Sequence, residues 1–224
     1  MDASPATGAA ALANPALAPK QARSRRSYDL ILDAAHRVLE EQGPDGFTIQ
    51  AIAQEAGVSI GGIYRRFQDR AEILVALKAR VLEGLITPLI SALEQAGPGL
   101  YELVAAMVRT LAREFARSEP IHSYIDAHAV QDDRIMEIGV RENDRVWEAL
   151  RRAAAAHHAE IAHPDPETAL RVAFDVINRT IVTGIRSGFN SWRPSSLDSP
   201  FQRIVDELVV MAYSYLVQPV RPEG

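Results

Sequence analysis

Between Thr48 and Phe67 the apolar residues come in two short bursts at helical spacing, parted by a glycine. Ile49, Ile52, Ala53 and Ala56 mark one face of a first helix. Ile63 and Phe67, four apart, mark the inward stripe of a second. Thr48 stands where a hydroxyl caps free amides, Gly57 where a helix ends in positive φ, and Ser59 where the second helix needs its own cap. Upstream, Tyr28, Ile31, Leu32, Ala35, Val38 and Leu39 form a longer stripe that Gly43-Pro44-Asp45-Gly46 stops. Downstream, Asp69 with Glu72 three residues on predicts the start of a fourth helix.

The remaining pattern is helical to the end. Pro88 predicts a kink or break, and Gly97-Pro98-Gly99 a loop. Leu100 to Phe115 predicts a helix that Glu119-Pro120 ends or turns, followed by a short helix over 121–130. A longer helix is predicted from Asp132 to His158, and Pro164 and Pro166 break the chain again. Two strongly apolar helices close it: Leu170 to Ile185, and Ile204 to Leu216, the last apolar on more than one side. No strand pair with hairpin turn chemistry is present. The expected fold is all-α: a tail over 1–19, a three-helix head over 20–68 and a helical body over 69–217. The tail is Ala/Pro-rich with almost no charge, which predicts disorder.

Composition adds three constraints. Apolar residues make up 47% of the chain, enough for a core, and no run of about 18 of them predicts a membrane span. Cysteine is absent, which removes disulfides, thiolate metal sites and cysteine nucleophiles, in keeping with a cytoplasmic protein. The net charge is −5, yet residues 20–80 hold ten Lys/Arg against eight Asp/Glu, so the head is positive and the body acidic. Lys20 to Arg26 carries four bases in seven residues. That run is either a flexible arm for a DNA backbone or minor groove, or a solvated start of a helix.

Helix, glycine turn, helix is the arrangement of the DNA-binding helix-turn-helix, though an ordinary αα-hairpin has the same pattern. Helical phase turns Gly61 and Arg65 outward, with Gly62 and Tyr64 beside them, a face suited to a major groove. No phosphate-binding glycine loop and no nucleophile motif is present, and His157, His158 and His163 lack acidic partners at ligand spacing. His122 and His128, six apart, face different directions on one helix, so neither a catalytic pair nor a metal centre is expected.

The run T-x-x-x-I-A-x-x-A-G-V-S-x-G-x-x-Y-x-x-F, present as Thr48, Ile52, Ala53, Ala56, Gly57, Val58, Ser59, Gly61, Tyr64 and Phe67, resembles the N-terminal domain of TetR-family transcriptional regulators. The likeness covers roughly residues 25 to 80 and continues through Asp69, Arg70, Glu72 and Leu74, with Arg70 where the family usually has Lys. The resemblance implies a regulator, most often a repressor released from operator DNA by a small-molecule effector, with no enzymatic activity and no cofactor. Its rival is an all-α ligand-binding or enzymatic protein whose hairpin is only structural. The expected DNA-contacting set is Arg23, Arg25, Arg26, Thr48, Ser59, Ile60, Gly61, Gly62, Tyr64, Arg65, Arg66 and Arg70, in which Tyr64 is implied to touch a phosphate.

The resemblance also implies a homodimer through a four-helix bundle of the two terminal helices. The candidates are Phe174, Ile177, Ile181, Ile185, Ile204, Leu208, Met211 and Tyr215; a central core helix is the alternative. A ligand pocket in the body is implied as well. Its candidates are Met107, Phe115, His122, Tyr124, His128, Trp147, Phe174 and Asn178, each of which plain core packing also explains. Arg109 and Arg113 either favour an anionic ligand or face water.

Overall fold

A computed structural model of the chain describes residues 20–129, 132–186 and 200–219. Among them are eight α-helices, one 3₁₀ helix and no strand, so the chain is all-α as its periodicity predicts. The tail over 1–19 lies outside the described residues. Contacts divide the chain into two compact units, the first through Gln68 and the second from Asp69.

The first unit holds α1 (Lys20–Gly46), α2 (Ile49–Ala56) and α3 (Ile60–Tyr64). Gly43 interrupts α1 with φ 66°, a conformation that a side chain disfavours, so the glycine stops the helix where the sequence predicts. Ile31, Leu32, Ala35 and Val38 of α1 are buried, as are Phe47, Ile52, Ala53, Ile63 and Phe67. Arg37 Nε donates to Glu55 Oε1 at 2.6 Å and ties α1 to α2 across the surface. The flexible arm expected over 20–26 is corrected: these residues are the first turns of α1. Lys, Gln, Ala and Arg are good helix formers, and the stripe that follows supplies the packing that keeps the extension helical.

The second unit holds α4 (Arg70–Glu94), α5 (Leu100–Ala129), α6 (Asp133–Ala154), a 3₁₀ helix (Ala155–Glu160), α7 (Pro166–Arg186) and α8 (Pro200–Val217). Two predicted interruptions do not occur. Pro88 sits inside α4, and α5 runs through residues 119 and 120 as one helix. A proline inside a helix costs about 3 kcal/mol. Apolar burial on both sides offsets it: Leu85, Ile86, Leu89 and Leu93 in α4; Leu111, Phe115, Ile121 and Ile125 in α5. The backbone N–H of Leu100 donates to Glu160 Oε2 at 3.1 Å, so a side chain sixty residues away caps α5.

The terminal helices correct the expected interface. Phe174, Ile177, Ile181, Ile185 and Leu208 are buried in the chain's own core, with Val205, Val209 and Leu216, and Ile204 packs half-buried against it. Both helices turn their densest stripe onto α5. Of the expected interface residues, Met211 and Tyr215 remain exposed on α8, as do Val210 on the same helix and Val172 and Val176 on α7. Among the described residues no helix is long and apolar enough to cross a membrane.

Candidate nucleic-acid interface and ligand cavity

Local hydrogen bonds shape the turn between α2 and α3. The N–H of Ala51 donates to Thr48 Oγ1 at 3.1 Å. Gly57 takes the left-handed conformation, φ 63°, and its N–H returns to the carbonyls of Ala53 and Gln54. The N–H of Gly62 donates to Ser59 Oγ at 3.0 Å. Thr48 and Ser59 are therefore caps, with their side-chain oxygens turned to their own helices.

Helix α3 is short, but the N–H of Phe67 still donates to the Ile63 carbonyl at 3.0 Å, so the turn persists to the buried phenyl ring. Ile60, Gly61, Tyr64 and Arg65 are exposed, Tyr64 at 55%. The two glycines differ. A Cβ on Gly61 would meet nothing within 4 Å, whereas one on buried Gly62 would lie 3.3 Å from Ser59 Oγ. Gly62, expected beside the outward residues, is instead buried under the cap, where a side chain would crowd Ser59 Oγ.

Arg66 also departs from the expected contact set. Its Nη1 donates to the Gly62 carbonyl at 3.2 Å and its Nε to the Ser24 carbonyl at 3.5 Å, so it braces α3 against the start of α1. Arg25 and Arg26 are exposed on the first turns of α1, and Arg70 is exposed at the first position of α4. The Arg23 side chain lies outside the described residues.

Inside the second unit, α4, α5, α6 and α7 enclose a cavity of about 220 Å³. Met107, Phe115, His122, Phe174 and Asn178 line it as the sequence predicts. Tyr124 and Trp147 do not. Trp147 packs beside Phe174, with ring centroids 5.8 Å apart, under the Arg171 guanidinium. The His128 side chain lies outside the described residues. Arg109 and Arg113 are not in the lining either; they pair with Asp206 and Glu114.

The wall also holds polar residues that the sequence reading missed, Lys78, Glu142 and Asn143. The two charged ones sit on apolar stripes: Lys78 between Leu74 and Leu82, Glu142 between Ile138 and Val146. A charge at a core-facing helical position was the available signal. Lys78 is 5% exposed, and burial, reinforced by the charge of Arg186, holds its ammonium down to about 8. Glu142 is buried between the guanidinium groups of Arg141 and Arg145. Asn178 Nδ2 donates to Asn143 Oδ1 at 2.6 Å. His122, 1% exposed, stacks on Phe115 with centroids 5.0 Å apart, and its Nε2 has no hydrogen-bond partner. Burial first, then the charges of Lys78 and Arg186, push the ring down to about 3 and keep it neutral. Among the described residues no group of three His, Asp or Glu side chains is placed to hold a metal ion.

Residues 31–77 match the family model described as bacterial regulatory proteins, tetR family. An HTH-type transcriptional regulator of Staphylococcus aureus strain USA300 is 31% identical over 68 residues, 30% of this chain and 36% of the relative. The chain thus spans about a third of the length of the curated relatives it matches. Over the whole chain the likeness is one of fold. A TetR family transcription regulator from Marinobacter aquaeolei superposes with a TM-score of 0.61 at 18% identity, covering 88% of this chain and 98% of that one. The multidrug binding protein EbrR, complexed with imidazole, superposes with a TM-score of 0.60 at 16% identity, covering 88% and 98%. Residues 31–77 thus match the tetR family of bacterial regulatory proteins, and along most of its length the chain shares the fold of solved TetR-family regulators.

Proposed function

We propose that this protein is a ligand-responsive, DNA-binding transcriptional regulator that acts as a homodimer in the cytoplasm, most often as a repressor, and has no enzymatic activity. The observation that carries the reading is the outward side of α3. Gly61 leaves the backbone bare, Ile60 offers an apolar surface for a thymine methyl, and Tyr64 and Arg65 offer polar groups to phosphate and base edge. Arg25, Arg26 and Arg70 add charge for the backbone.

The exposed valines of α7 and α8, with Met211 and Tyr215, are the surface on which a second copy would pair. The cavity of the second unit is the effector site of this reading; EbrR shows that a protein of this fold takes a small molecule. An effector that prefers the arrangement unable to bind DNA must weaken operator affinity, and DNA must weaken effector affinity equally.

A gel-shift assay on the DNA upstream of the protein's own gene tests the reading. Salt-sensitive, sequence-selective retardation by the dimer is expected. Equal retardation of unrelated DNA, or none, would leave the head a structural hairpin.

A further inference from the structure

Leu85, Ile86 and Leu89 of α4, with Met107, Leu111 and Phe115 of α5, make most of the cavity wall apolar. One polar atom of that wall is left over. His122 is 1% exposed and its ring lies flat on Phe115. Among the described residues, its Nε2 is the buried side-chain atom that meets no hydrogen-bond partner. A buried donor or acceptor left bare is destabilising, so such an atom calls for an occupant. The other described polar side chains of the wall are engaged. Asn178 donates to Asn143, Glu142 pairs with Arg141 and Arg145, and Lys78 has partners of its own within the chain.

The interior also penalises charge. Burial pulls the Lys78 ammonium down to about 8 and the His122 ring down to about 3. The same loss of solvation falls on any ion that enters from water. A ligand therefore gains most by being neutral and bringing one oxygen to the imidazole. A neutral imidazole nitrogen serves either kind of oxygen: as N–H it donates to a carbonyl, and bare it accepts from a hydroxyl. An open groove between α6 and α7 shares Gly139, Asn143, Asn178 and Val182 with the cavity, so the two are continuous. Gly139 stands in the middle of α6, and a Cβ there would touch nothing within 4 Å, so the missing side chain leaves the passage open.

We infer that the cavity takes a small, neutral, largely apolar molecule whose single hydroxyl or carbonyl oxygen pairs with His122 Nε2 while its hydrocarbon body lies against the α4–α5 wall. An apolar cavity of roughly 150 Å³ holds benzene. A volume of about 220 Å³ therefore fits one ring with a short substituent. A water molecule would satisfy the nitrogen but leave the apolar remainder of the space unfilled. A pure hydrocarbon would fill the space and leave the nitrogen bare. This inference rests on the effector-site reading above and adds the charge, size and polar group of the ligand.

Calorimetric titration of the full chain with two matched pairs tests it: acetophenone against α-methylstyrene, and para-ethylphenol against para-ethyltoluene. Each pair exchanges one oxygen for carbon at nearly constant shape. At least one oxygen compound should bind about tenfold more tightly than its hydrocarbon. It should also bind more tightly than phenylacetate and phenethylamine, which carry charge at similar size. His122→Leu should erase the difference within the pair while both compounds still bind and circular dichroism stays unchanged. Independently of that variant, the nitrogen NMR resonance of His122 Nε2 should move on addition of the oxygen compound and stay nearly in place with its hydrocarbon. Gly139→Leu, which fills open space, should slow or block binding of every compound. Equal binding within both pairs, an oxygen preference that survives in folded His122→Leu, an unmoved Nε2 resonance, tighter binding of the acid or the amine, or no binding at all would overturn the inference. Operator release is read separately. A neutral oxygen compound that binds without loosening DNA upholds this site and removes the effector role. An acid or amine that binds here more tightly and loosens DNA does the opposite.

Discussion

The ring of Tyr28 lies over the ring of Phe67, centroids 5.0 Å apart and planes 24° from parallel. One ring belongs to α1 and the other to the chain leaving α3, so α3 is held from behind at its C-terminal end. Arg66 repeats the brace in polar form through Ser24 and Gly62. Phe67 and Arg66 thus hold α3 from its inner side, and substitutions at Gly61, Tyr64 and Arg65 leave these contacts in place.

Gly61→Leu is the first such substitution. The position is open, and leucine favours helix over glycine by up to about 1 kcal/mol. The variant should melt at or above the wild-type temperature and lose specific operator binding in a gel shift. Wild-type affinity in the folded variant would show that α3 does not enter a groove at this residue.

Arg65 and Tyr64 should fail in different ways. A guanidinium reads guanine through O6 and N7, whereas a phenol on a phosphate positions without specifying. Arg65→Ala should cost about 1–3 kcal/mol on the operator and much less on random DNA. Tyr64→Phe should weaken both by similar factors. Binding-site selection with Arg65→Ala decides, since an unchanged base preference would place Arg65 on the backbone.

Pairing of two copies should depend on the outer faces of α7 and α8. Val176→Glu with Val210→Glu puts charge on residues that are 43% and 49% exposed. Sedimentation should show monomers with unchanged helicity and lost binding to a palindromic site. The same charge at Ile181 or Leu208 would unfold the chain, because both lie in its own core. A persisting dimer in the valine variant would move the interface elsewhere.

Acid should destabilise the protein through His122. The folded ring stays neutral down to about 3, whereas an unfolded histidine takes up a proton near 6.5. Between those values the unfolded state binds more protons, so stability falls as pH falls from 6.5 towards 3. At ~1.4 kcal/mol per pH unit, the loss is on the order of 5 kcal/mol. Lys78 and Arg186 oppose the proton and Glu142 sits on the same wall, so their carriers should be kept intact in the comparison. Urea midpoints of the wild type should drop more steeply over this range than those of His122→Leu. Parallel curves would show that the ring is not held neutral.

The head was legible from its letters because its decisive contacts close within a few residues. Thr48, Gly57, Ser59 and Asp69 cap or end helices through bonds to residues three or four positions away, and such bonds depend on local spacing alone. The exception was Gly62, whose burial follows from where Val58 and Ser59 pack. In the body, the sequence by itself determined that the chain is helical and which residues are apolar. Only the tertiary structure decided that α4 and α5 run through their prolines, since neighbouring helices supply the burial that offsets the lost bond. It also decided which side of α7 and α8 faces inward. Phe174 and Val176 are both apolar, and the position of α5 makes one core and leaves the other exposed. The polar end of the cavity was beyond local reading for the same reason. Lys78, His122 and Glu142 come from three different helices, and nothing within a few residues of any of them shows that they line one space.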